Sequence, residues 1–464
     1  MDTSVLRLSV PEILGLYKSG KLSPVEVAES CLRQIVKYNP AFNAICCMDE
    51  KLSLRQAQAS EKRWKRGEPQ GALDGIPVTI KDWFDVKGWP TRYGSKASSD
   101  IRQPADSPFV ARLREQGAII LGKTTLPEFG HKGVTDSPLT GVTRNPWNAA
   151  KTPGGSSGGA AVAAATGMAF LNIGSDAGGS VRLPASFSGV VGFKPSPGLV
   201  PSWPPSIFSS LSAQGPLTRC VADAAAALDV MMLPDARDWN ALPLPPPQLS
   251  AALKKTLPKL RIAYAPTMGV VPTAKNVLEV FAEKGKLFQS LGPVEEITVK
   301  SPHMADVFIK HWIAAAAAHV ASLPPAQRKL LDPHYLNWAK MGDGLHLRDY
   351  IDAQQERMVI GAYFKSILDS YDLLITPTMP MTAFETGVDM PRETRAKGTI
   401  WTPLTLPANL AKLPAVSLPL GLAQDGMPVG VQIMGGYLKD ALVMQAAKRL
   451  EEEIAFEGWL DRNG

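Results

Sequence analysis

The sequence predicts an α/β fold, in which helices pack on a mostly parallel or mixed β-sheet. Two short β-branched runs, in residues 76–86 (IPVTIKDWFDV) and 117–123 (GAIILGK), are bounded by Gly and Pro, as buried strands are. Residues 107–117 (SPFVARLREQG) lie between them and have the apolar spacing of a helix. Strand–helix–strand alternation with short connections is typical of an α/β protein.

The composition is that of an ordinary globular protein. A chain of 464 residues can bury a large core, as one large α/β unit or as two to three smaller domains. Its 45% hydrophobic and 20% charged residues exclude wholesale disorder. The net charge is only +6, and the densest basic patch, residues 62–66 (KRWKR), indicates the polar end of a helix. We therefore expect no nucleic-acid partner.

The four cysteines predict reduced thiols in a reducing compartment. Their spacing, at Cys31, Cys46, Cys47 and Cys220, fits neither a zinc ribbon nor a C-x-x-C redox pair. The N-terminus lacks the pattern of a secretory signal, and the longest weakly polar segment, residues 160–173, is too short to span a bilayer. We expect a cytoplasmic protein without a membrane span.

Residues 1–70 are predicted to form a helical segment that packs on the core or on a second subunit, and residues 71–464 the α/β domain. Ser9 and Ser23 are each followed within two residues by proline, which is the pattern of a helix N-cap. Residues 235–258 are the most proline-rich connection, and they either separate two halves or form a surface excursion within one domain. We expect one structural domain overall.

The C-terminal half continues the α/β pattern. Strands are predicted in LRIAYAP, YDLLITPTMP, LPAVSLPLG and PVGVQIMGG. Helices are predicted for NVLEVFAEKGKLFQSLG, for most of residues 303–365 and near residues 441–454.

Residues 117–124 (GAIILGKT) fit the P-loop expression G-x-x-x-x-G-K-[ST]. A phosphate cradle needs the four middle residues to form a loop whose N–H groups turn inward. Here they are Ala, Ile, Ile and Leu, which indicate a buried strand, and the residues before them are predicted to be helical. We predict no ATP site.

Residues 151–161 (KTPGGSSGGAA) are compatible with a flexible linker or with backbone folded around a reactive hydroxyl. Both Ser156 and Ser157 fit the nucleophile-elbow pattern G-x-S-x-G, which needs a histidine base farther along the chain. The later histidines lie in stretches predicted to be helix or helix connection, and residues 347–464 contain none. A linker is also disfavoured, because a small-residue helix follows directly.

A second Gly-rich element, GSDAGGSVRLPA, contains Ser180. A short helix and strand between the two elements can bring Ser156 and Ser180 together, and glycines let backbone amides approach a substrate. Lys81 ends an apolar strand, where burial would lower its pKa and make it a base for a serine. A Lys81 paired with Asp82 or Asp85 is an equally open alternative on these residues.

The stretches GIPVTIKDWFDV, GAIILGKTTLPEFG, TRNPWN with TPGGSSGG, and GSDAGGSVRLPASFSGVVGFKPSPGLVP occur in this order and resemble the amidase signature family. The later GPLTRCVADAA, YDLLITPTMP and LPAVSLPLG resemble further landmarks of that family. The resemblance covers about residues 73–453. It implies the amidase signature fold, an α/β domain with a mixed central β-sheet covered by helices on both faces.

The resemblance implies a Ser–Ser–Lys triad that requires no metal or cofactor. Ser180 would be the acylated nucleophile and Lys81 the base. Ser156, which would follow a cis peptide bond with Gly155, would bridge the two. The oxyanion hole would be formed by the backbone N–H groups of Ala177, Gly178, Gly179 and Ser180.

Other residues around the triad are predicted to have supporting roles. Asp176 and Arg182 are expected to brace the GGS turn by an ion pair, and Ser157 to hydrogen-bond the backbone or the triad. Three aromatic residues are candidates for an apolar substrate pocket, together with the helical stretch near Trp312: Phe129, Trp203 and Phe208. The same rings could equally be ordinary core packing.

The resemblance implies a serine amidohydrolase that cleaves a carboxylic amide, or a related carbamate (urethane) or ester, of a small molecule through an acyl-enzyme. The alternative is the glutaminase (A-type) subunit of a tRNA-dependent amidotransferase, in which an acidic residue binds the amino group of glutamine. Thr402 stands at or near that position, and no Asp or Glu lies between Lys397 and Asn409. An intact triad argues against a third alternative, a non-catalytic scaffold. We expect a monomer or a homodimer.

Overall fold

The computed structural model describes residues 4–268, 271–300, 303–391 and 401–463. Thirteen strands lie in these ranges: β1 (Ile45–Met48), β2 (Pro77–Lys81), β3 (Ile119–Thr124), β4 (Asp136–Ser137), β5 (Gly141–Val142), β6 (Leu171–Asp176), β7 (Val191–Lys194), β8 (Ala213–Thr218), β9 (Ile262–Tyr264), β10 (Val294–Glu296), β11 (Leu373–Pro377), β12 (Ala415–Leu422) and β13 (Pro428–Gly435). The six runs predicted to be strands contain β2, β3, β9, β11, β12 and β13, so these predictions are confirmed.

The same ranges contain sixteen α-helices: α1 (Val10–Lys18), α2 (Pro24–Phe42), α3 (Glu50–Lys65), α4 (Pro108–Glu115), α5 (Gly158–Ala165), α6 (Arg182–Ser188), α7 (Val221–Met231), α8 (Leu249–Ala252), α9 (Lys275–Lys284), α10 (Met304–Ser322), α11 (Pro325–Arg328), α12 (Pro333–Asp343), α13 (Leu347–Ser370), α14 (Leu406–Leu410), α15 (Asp440–Ile454) and α16 (Trp459–Asn463). Four short 3-10 turns add to them: Ser4–Arg7, Glu128–Gly130, Ser209–Leu211 and Gly285–Ser290. None of the described helices combines the length and the apolar character that a membrane crossing needs.

Eleven strands form one mixed sheet in the order β1-β3-β2-β6-β8-β7-β12-β13-β11-β9-β10, while β4 and β5 pair separately. The pairs β3–β2, β2–β6, β11–β9 and β9–β10 are parallel. The other neighbours in the large sheet are antiparallel. The predicted mixed central sheet is therefore confirmed.

Helices cover both faces of this sheet. Along β11, Leu373 and Ile375 belong to the main apolar cluster, whereas Leu374 between them belongs to a second cluster. This alternation arises because successive side chains of a strand point to opposite faces. The main cluster also contains side chains of α7 and α15, and the second cluster those of α10 and α13. The predicted two-sided helical cover is thus also confirmed.

The N-terminal segment packs on the core of its own chain. Ser9 and Ser23 are the N-cap residues of α1 and α2, as predicted, and the backbone N–H of each donates to the glutamate three residues later. On the buried face of α2, Val27 joins the main apolar cluster. At the start of α1, the Val10 N–H donates to Asp223 Oδ1 of α7 at 2.6 Å.

One part of the helical prediction for residues 1–70 is wrong. The run ICCM forms strand β1, which pairs antiparallel with β3 at one edge of the sheet. Four residues are too few to show a strand period. The backbone partners of this strand come from β3, much farther along the chain, so no local pattern indicates them.

The proline-rich residues 235–258 do not separate two sheets. Strands β8 before them and β9 after them belong to the same eleven-stranded sheet. Of the two interpretations that the sequence leaves open, the structure agrees with a surface excursion. The P-loop-like residues 117–124 contain the fully buried strand β3, which agrees with the prediction that they do not cradle phosphate.

Two neighbouring parallel strands bring chemistry-bearing residues to one edge of the sheet. Strand β2 ends at Lys81 and strand β6 ends at Asp176, and the two pair in parallel with Ile80 opposite Ile173. Because parallel strands point their carboxyl ends the same way, Lys81 and the turn that follows β6 meet at this edge. Ser180 lies in that turn.

Val27→Ala should lower the free energy of unfolding by about 2 kcal/mol, because it removes two buried methyl groups where α2 meets the core. Val36→Ala in the same helix is the matched control, since Val36 is 68% exposed and Val27 is 0% exposed. Its effect should stay below about 0.5 kcal/mol. Chemical denaturation of both variants measures the difference, and equal effects would contradict the packing of α2 on the core.

Candidate active site

The Lys81 side chain is fully buried and surrounded by serine hydroxyl groups. Its Nζ lies 2.7 Å from Ser156 Oγ, 2.9 Å from Ser157 Oγ and 2.9 Å from Ser175 Oγ. Burial disfavours the charged ammonium and lowers the pKa of Lys81 to about 7. A substantial fraction of this amine is therefore uncharged at neutral pH and can accept a proton.

The alternative ion pair of Lys81 with Asp82 or Asp85 is not present. Asp82 Oδ1 lies 2.6 Å from the ammonium of Lys123, which is also buried. Asp85 Oδ1 accepts a hydrogen bond from Thr91 Oγ1 at 2.8 Å. The Lys81 amine is thus free of direct carboxylate partners among the described residues.

The Gly/Ser element of residues 151–161 is packed backbone and not a linker. A Cβ added to Gly155 would lie 2.7 Å from the carbonyl oxygen of Val134, so only glycine fits there. The Gly155–Ser156 peptide bond is cis, as the resemblance implies. Ser157 Oγ donates to the Ser175 carbonyl at 3.2 Å besides contacting Lys81. Ser157 thus makes the backbone and triad contacts predicted for it.

Ser180 lies beside these serines and lines a cavity. The Ser157 N–H donates to the Ser180 carbonyl at 3.2 Å, which ties the two Gly/Ser elements together. Within the described ranges, Ser180 Oγ has no hydrogen-bond partner. The hydroxyl is therefore available to a bound molecule.

An ion pair braces the turn that carries Ser180, as predicted. Arg182 Nη2 lies 2.9 Å from Asp176 Oδ1, and both side chains are fully buried. Burial alone would raise the pKa of Asp176, but the charge and hydrogen bonds of Arg182 outweigh it and hold that pKa below its ordinary range. Asp176 also accepts the N–H groups of Gly179 at 2.8 Å and Val181 at 3.2 Å.

The resemblance implies an oxyanion hole of four N–H groups, and one of them, that of Gly179, is already bonded in the structure. The Gly179 N–H is used by Asp176, and Ala177 packs in the second apolar cluster and does not line the cavity. The N–H groups of Gly178 and Ser180 donate to no acceptor in the described part of the chain, and both residues line the cavity. Both N–H groups are thus available to an acceptor in the cavity.

The cavity beside Ser180 has a volume of about 370 Å³. Glycine backbone forms the side next to the serines: Gly130, Gly133, Gly155, Gly178 and Gly179. Large apolar side chains form much of the remainder: Leu183, Phe308, Ile309, Trp312, Trp338, Met341, Met390 and Trp401. Polar side chains close one end: His131, Lys132, His334, Asp389 and Thr402.

The candidate pocket residues Phe129, Trp203 and Phe208 are not among the described residues that line this cavity. Phe129 and Trp203 line a different cavity. Phe208 stacks on Trp312 with ring centroids 3.9 Å apart and thus supports the wall. Trp312, from the other stretch considered for the pocket, does line the cavity. The loops that carry Trp401 and Met390 offered no signal in the sequence.

The histidines of the cavity do not reach the serines. Burial lowers the pKa of His131 to about 3, so its ring is neutral at ordinary pH. His131 Nε2 lies 2.9 Å from His334 Nδ1. No histidine in the described ranges hydrogen-bonds Ser156, Ser157 or Ser180, in agreement with the prediction against a histidine-based triad.

Ser175 is a site residue that is not among those predicted. It is the second-last residue of β6 and contacts the Lys81 amine at 2.9 Å. Its place directly before Asp176, in the same GSDAGGS run as Ser180, is the signal that could have identified it. Within the described ranges, no group of three His, Cys, Asp or Glu side chains is arranged as metal ligands are.

The comparisons with known proteins agree with this geometry. An acylamidase of Rhodococcus erythropolis is 34% identical over 466 residues, covering 98% of this chain and 96% of that protein. The A subunit of the glutamyl-tRNA(Gln) amidotransferase of Prochlorococcus marinus (strain NATL2A) is 32% identical over 467 residues, covering 94% of this chain and 95% of that protein. The chain is thus similar both to a hydrolase and to one component of an amidotransferase.

A bacterial aryl acylamidase belonging to the amidase signature enzymes family has a similar crystal structure. Its TM-score is 0.89 at 28% sequence identity, with 98% of each chain covered. Residues 26–444 of this chain match the sequence profile of the family described as Amidase. The chain therefore belongs to the amidase signature family.

Proposed function

We propose that this protein is a serine amidohydrolase that cleaves carboxylic amides through an acyl-enzyme on Ser180. The observation that carries the proposal is the buried Lys81 amine, which contacts three serine hydroxyls and has a pKa lowered to about 7. A neutral amine at this position can start a proton relay without histidine. The nearby cavity supplies room for a small-molecule substrate.

In the first step, neutral Lys81 takes a proton from Ser156 while Ser156 takes one from Ser180. The Ser180 oxygen attacks the substrate carbonyl carbon, and the carbonyl electron pair moves to oxygen. The free N–H groups of Gly178 and Ser180 stabilise that charge. One such donor is typically worth about 3 kcal/mol of the barrier.

In the second step, the C–N bond breaks as Ser156 gives a proton to the leaving amine nitrogen, and the Lys81 ammonium returns a proton to Ser156. Ser180 then carries the acyl group as an ester. Water attacks this ester as the same relay removes its proton, and the acid leaves as Ser180 recovers its hydrogen. The products are a carboxylic acid and an amine, and Lys81 ends uncharged.

The free state of Ser180 is compatible with this relay. Ser156 already contacts Lys81 at 2.7 Å, whereas Ser180 Oγ has no hydrogen-bond partner among the described residues. Catalytic hydrogen bonds are often loose before substrate binds and tighten in the complex. The mechanism therefore requires Ser180 Oγ to come within hydrogen-bond distance of Ser156 Oγ when substrate binds.

The cavity supports an apolar or aromatic group on the substrate. Its volume of about 370 Å³ suits a small molecule, and four aromatic side chains line it: Phe308, Trp312, Trp338 and Trp401. Carbamates and esters share the tetrahedral chemistry of amides, and a urethane adds only an alkoxy group. We therefore include carbamate (urethane) and ester cleavage as further activities of the same site.

The second candidate function is that of the glutaminase component of a tRNA-dependent amidotransferase. The 32% identity to the A subunit of a glutamyl-tRNA(Gln) amidotransferase favours it. The cavity wall carries neutral Thr402 where an acid is expected for that function. The acid that does line the cavity, Asp389, is bonded to Lys132 at 2.7 Å. A simple amide hydrolase fits these residues better.

Ser180→Ala should reduce kcat/KM at least about 1,000-fold on nitroanilides, carbamates and aryl esters of graded acyl size, because the acylated oxygen is removed. Ser188→Ala is the matched control, since the Ser188 hydroxyl is buried and has no hydrogen-bond partner among the described residues. Its activity should match that of the unaltered protein. Retention of turnover by Ser180→Ala would refute the proposed nucleophile.

The value of kcat/KM should rise with pH through a midpoint near pH 7, because Lys81 must lose its proton to act and its pKa is lowered to about 7. Lys194 is a built-in comparison: burial also lowers its pKa to about 7, but its Nζ donates to the Pro195 carbonyl. Lys194→Met should leave the midpoint in place. If the midpoint disappears in this variant, the titrating group is Lys194 and not Lys81, which would contradict the proposed base.

The isolated chain should hydrolyse simple anilides and should act poorly on glutamine, because no free carboxylate in the described cavity wall can hold the glutamine amino group. Steady-state assays of both substrates with the purified chain measure the ratio. Preferential glutamine hydrolysis, or activity that depends on a co-purified partner chain, would favour the amidotransferase function instead.

A further inference from the structure

A second cavity lies near the active-site cavity but shares no lining residue with it in the described part of the chain. Its volume is about 190 Å³. The rings of Trp83, Tyr93, Phe129 and Trp203 line it, and neither Asp, Glu, Lys nor Arg is among its described lining residues. None of these four rings lines the active-site cavity, so the second cavity is a separate candidate binding site.

The His319 side chain gives this second cavity a hydrogen-bonding point, whereas the Ser107 hydroxyl in its wall already accepts the Asp85 N–H. His319 lines the cavity, and its Nδ1 lies 2.7 Å from the Tyr335 hydroxyl. The Nε2 atom has no partner among the described residues. Burial lowers the pKa of His319, so the ring is uncharged at neutral pH. The free nitrogen donates or accepts one hydrogen bond according to the tautomer.

The size and lining of the second cavity define a narrow class of ligand. Apolar cavities of about 150 Å³ take up benzene, so 190 Å³ accommodates one aromatic ring with a small substituent. A charged ligand would lose its hydration without gaining an opposite charge. We propose that the second cavity binds an uncharged, one-ring aromatic molecule with one hydrogen-bonding group, and that an arylamine released from an anilide is such a ligand.

The source of the arylamine rests on the proposed function, but the binding does not. Arylamines are uncharged at neutral pH, carry one ring and present N–H groups to an acceptor nitrogen. They therefore match both the aromatic walls and the His319 ring. An alkylamine of the same size is charged at that pH and lacks the ring, so it should not bind.

A ligand in the second cavity would also contact rings that back the active site. Phe129 lines the second cavity while the next residue, Gly130, lines the active-site cavity. Both have positive φ, 46° and 60°. A Cβ added to Gly130 would lie 3.2 Å from Ser156 Oγ and 3.5 Å from the Trp83 ring. An arylamine should therefore alter turnover without competing for the active-site cavity.

The test is a calorimetric titration of aniline into protein whose Ser180 has first been blocked by a fluorophosphonate. Aniline should still bind at one site, and cyclohexylamine should not. Ile207 lines the second cavity but not the active-site cavity. Ile207→Trp places a larger side chain in the second cavity and should weaken aniline binding at least about fivefold. Trp203→Ala should weaken it similarly. With active protein, aniline should be a mixed inhibitor of anilide hydrolysis.

Trp239→Ala is the matched control, because Trp239 is 88% exposed and lines a third cavity, which shares Trp203 and Pro205 with the second cavity. It should leave aniline binding unchanged. Loss of binding in the blocked protein would show that aniline occupies the active site, and loss of binding in Trp239→Ala would show that it occupies the third cavity. Either result overturns the proposal. If the fluorophosphonate fails to label, the proposed function fails, and the same titrations on unlabelled protein and its Ile207→Trp variant still test the second cavity.

Discussion

The site depends on one constraint: a lysine amine must be buried without a carboxylate partner. A buried lysine is normally paired with a carboxylate, as Lys123 is with Asp82 at 2.6 Å. Lys81 lies in the neighbouring parallel strand, one position past the residue opposite Lys123, yet it faces serine hydroxyls instead. Hydroxyl groups can bond a neutral amine but cannot compensate a full charge. The surroundings of Lys81 therefore favour loss of its proton.

Arg182 pairs with Asp176, the carboxylate that acts on the charge of Lys81, and so reduces its effect on the amine. Asp176 is the carboxylate whose charge raises the pKa of Lys81, and Arg182 neutralises it with two direct contacts. The same guanidinium donates to the Thr405 carbonyl and to the side chains of Asn409 and Gln432. One planar group with five donors thus joins β6, α14 and β13 around the turn that carries Ser180. Arg182 therefore both holds the turn in place and offsets the charge of Asp176 near the Lys81 amine.

Local sequence patterns predict most of the fold and single out Lys81, Ser156 and Ser180, which the structure places near one another, but they do not predict the cavity wall. Lys81, Ser156 and Ser180 occur in runs whose residue types restrict the backbone, so short motifs identify them. The cavity wall instead combines Phe308 with Trp401, whose proximity is set by long-range packing. Phe129, close to the motifs in sequence, is an attractive candidate for the same wall, yet its ring packs beside side chains of α10 and α12. Strand β1 illustrates the same limit, because its partner is distant in the chain.

The far end of the large sheet has a consequence for solubility. Strand β10 has only three residues, and within the described ranges it leaves one open row of backbone groups at the sheet's edge. Glu295 and Glu296 are exposed there. A short strand with two like charges is a poor template, because a second chain that added to it would bring its own glutamates alongside. The edge therefore protects an eleven-stranded sheet from lengthening into an aggregate.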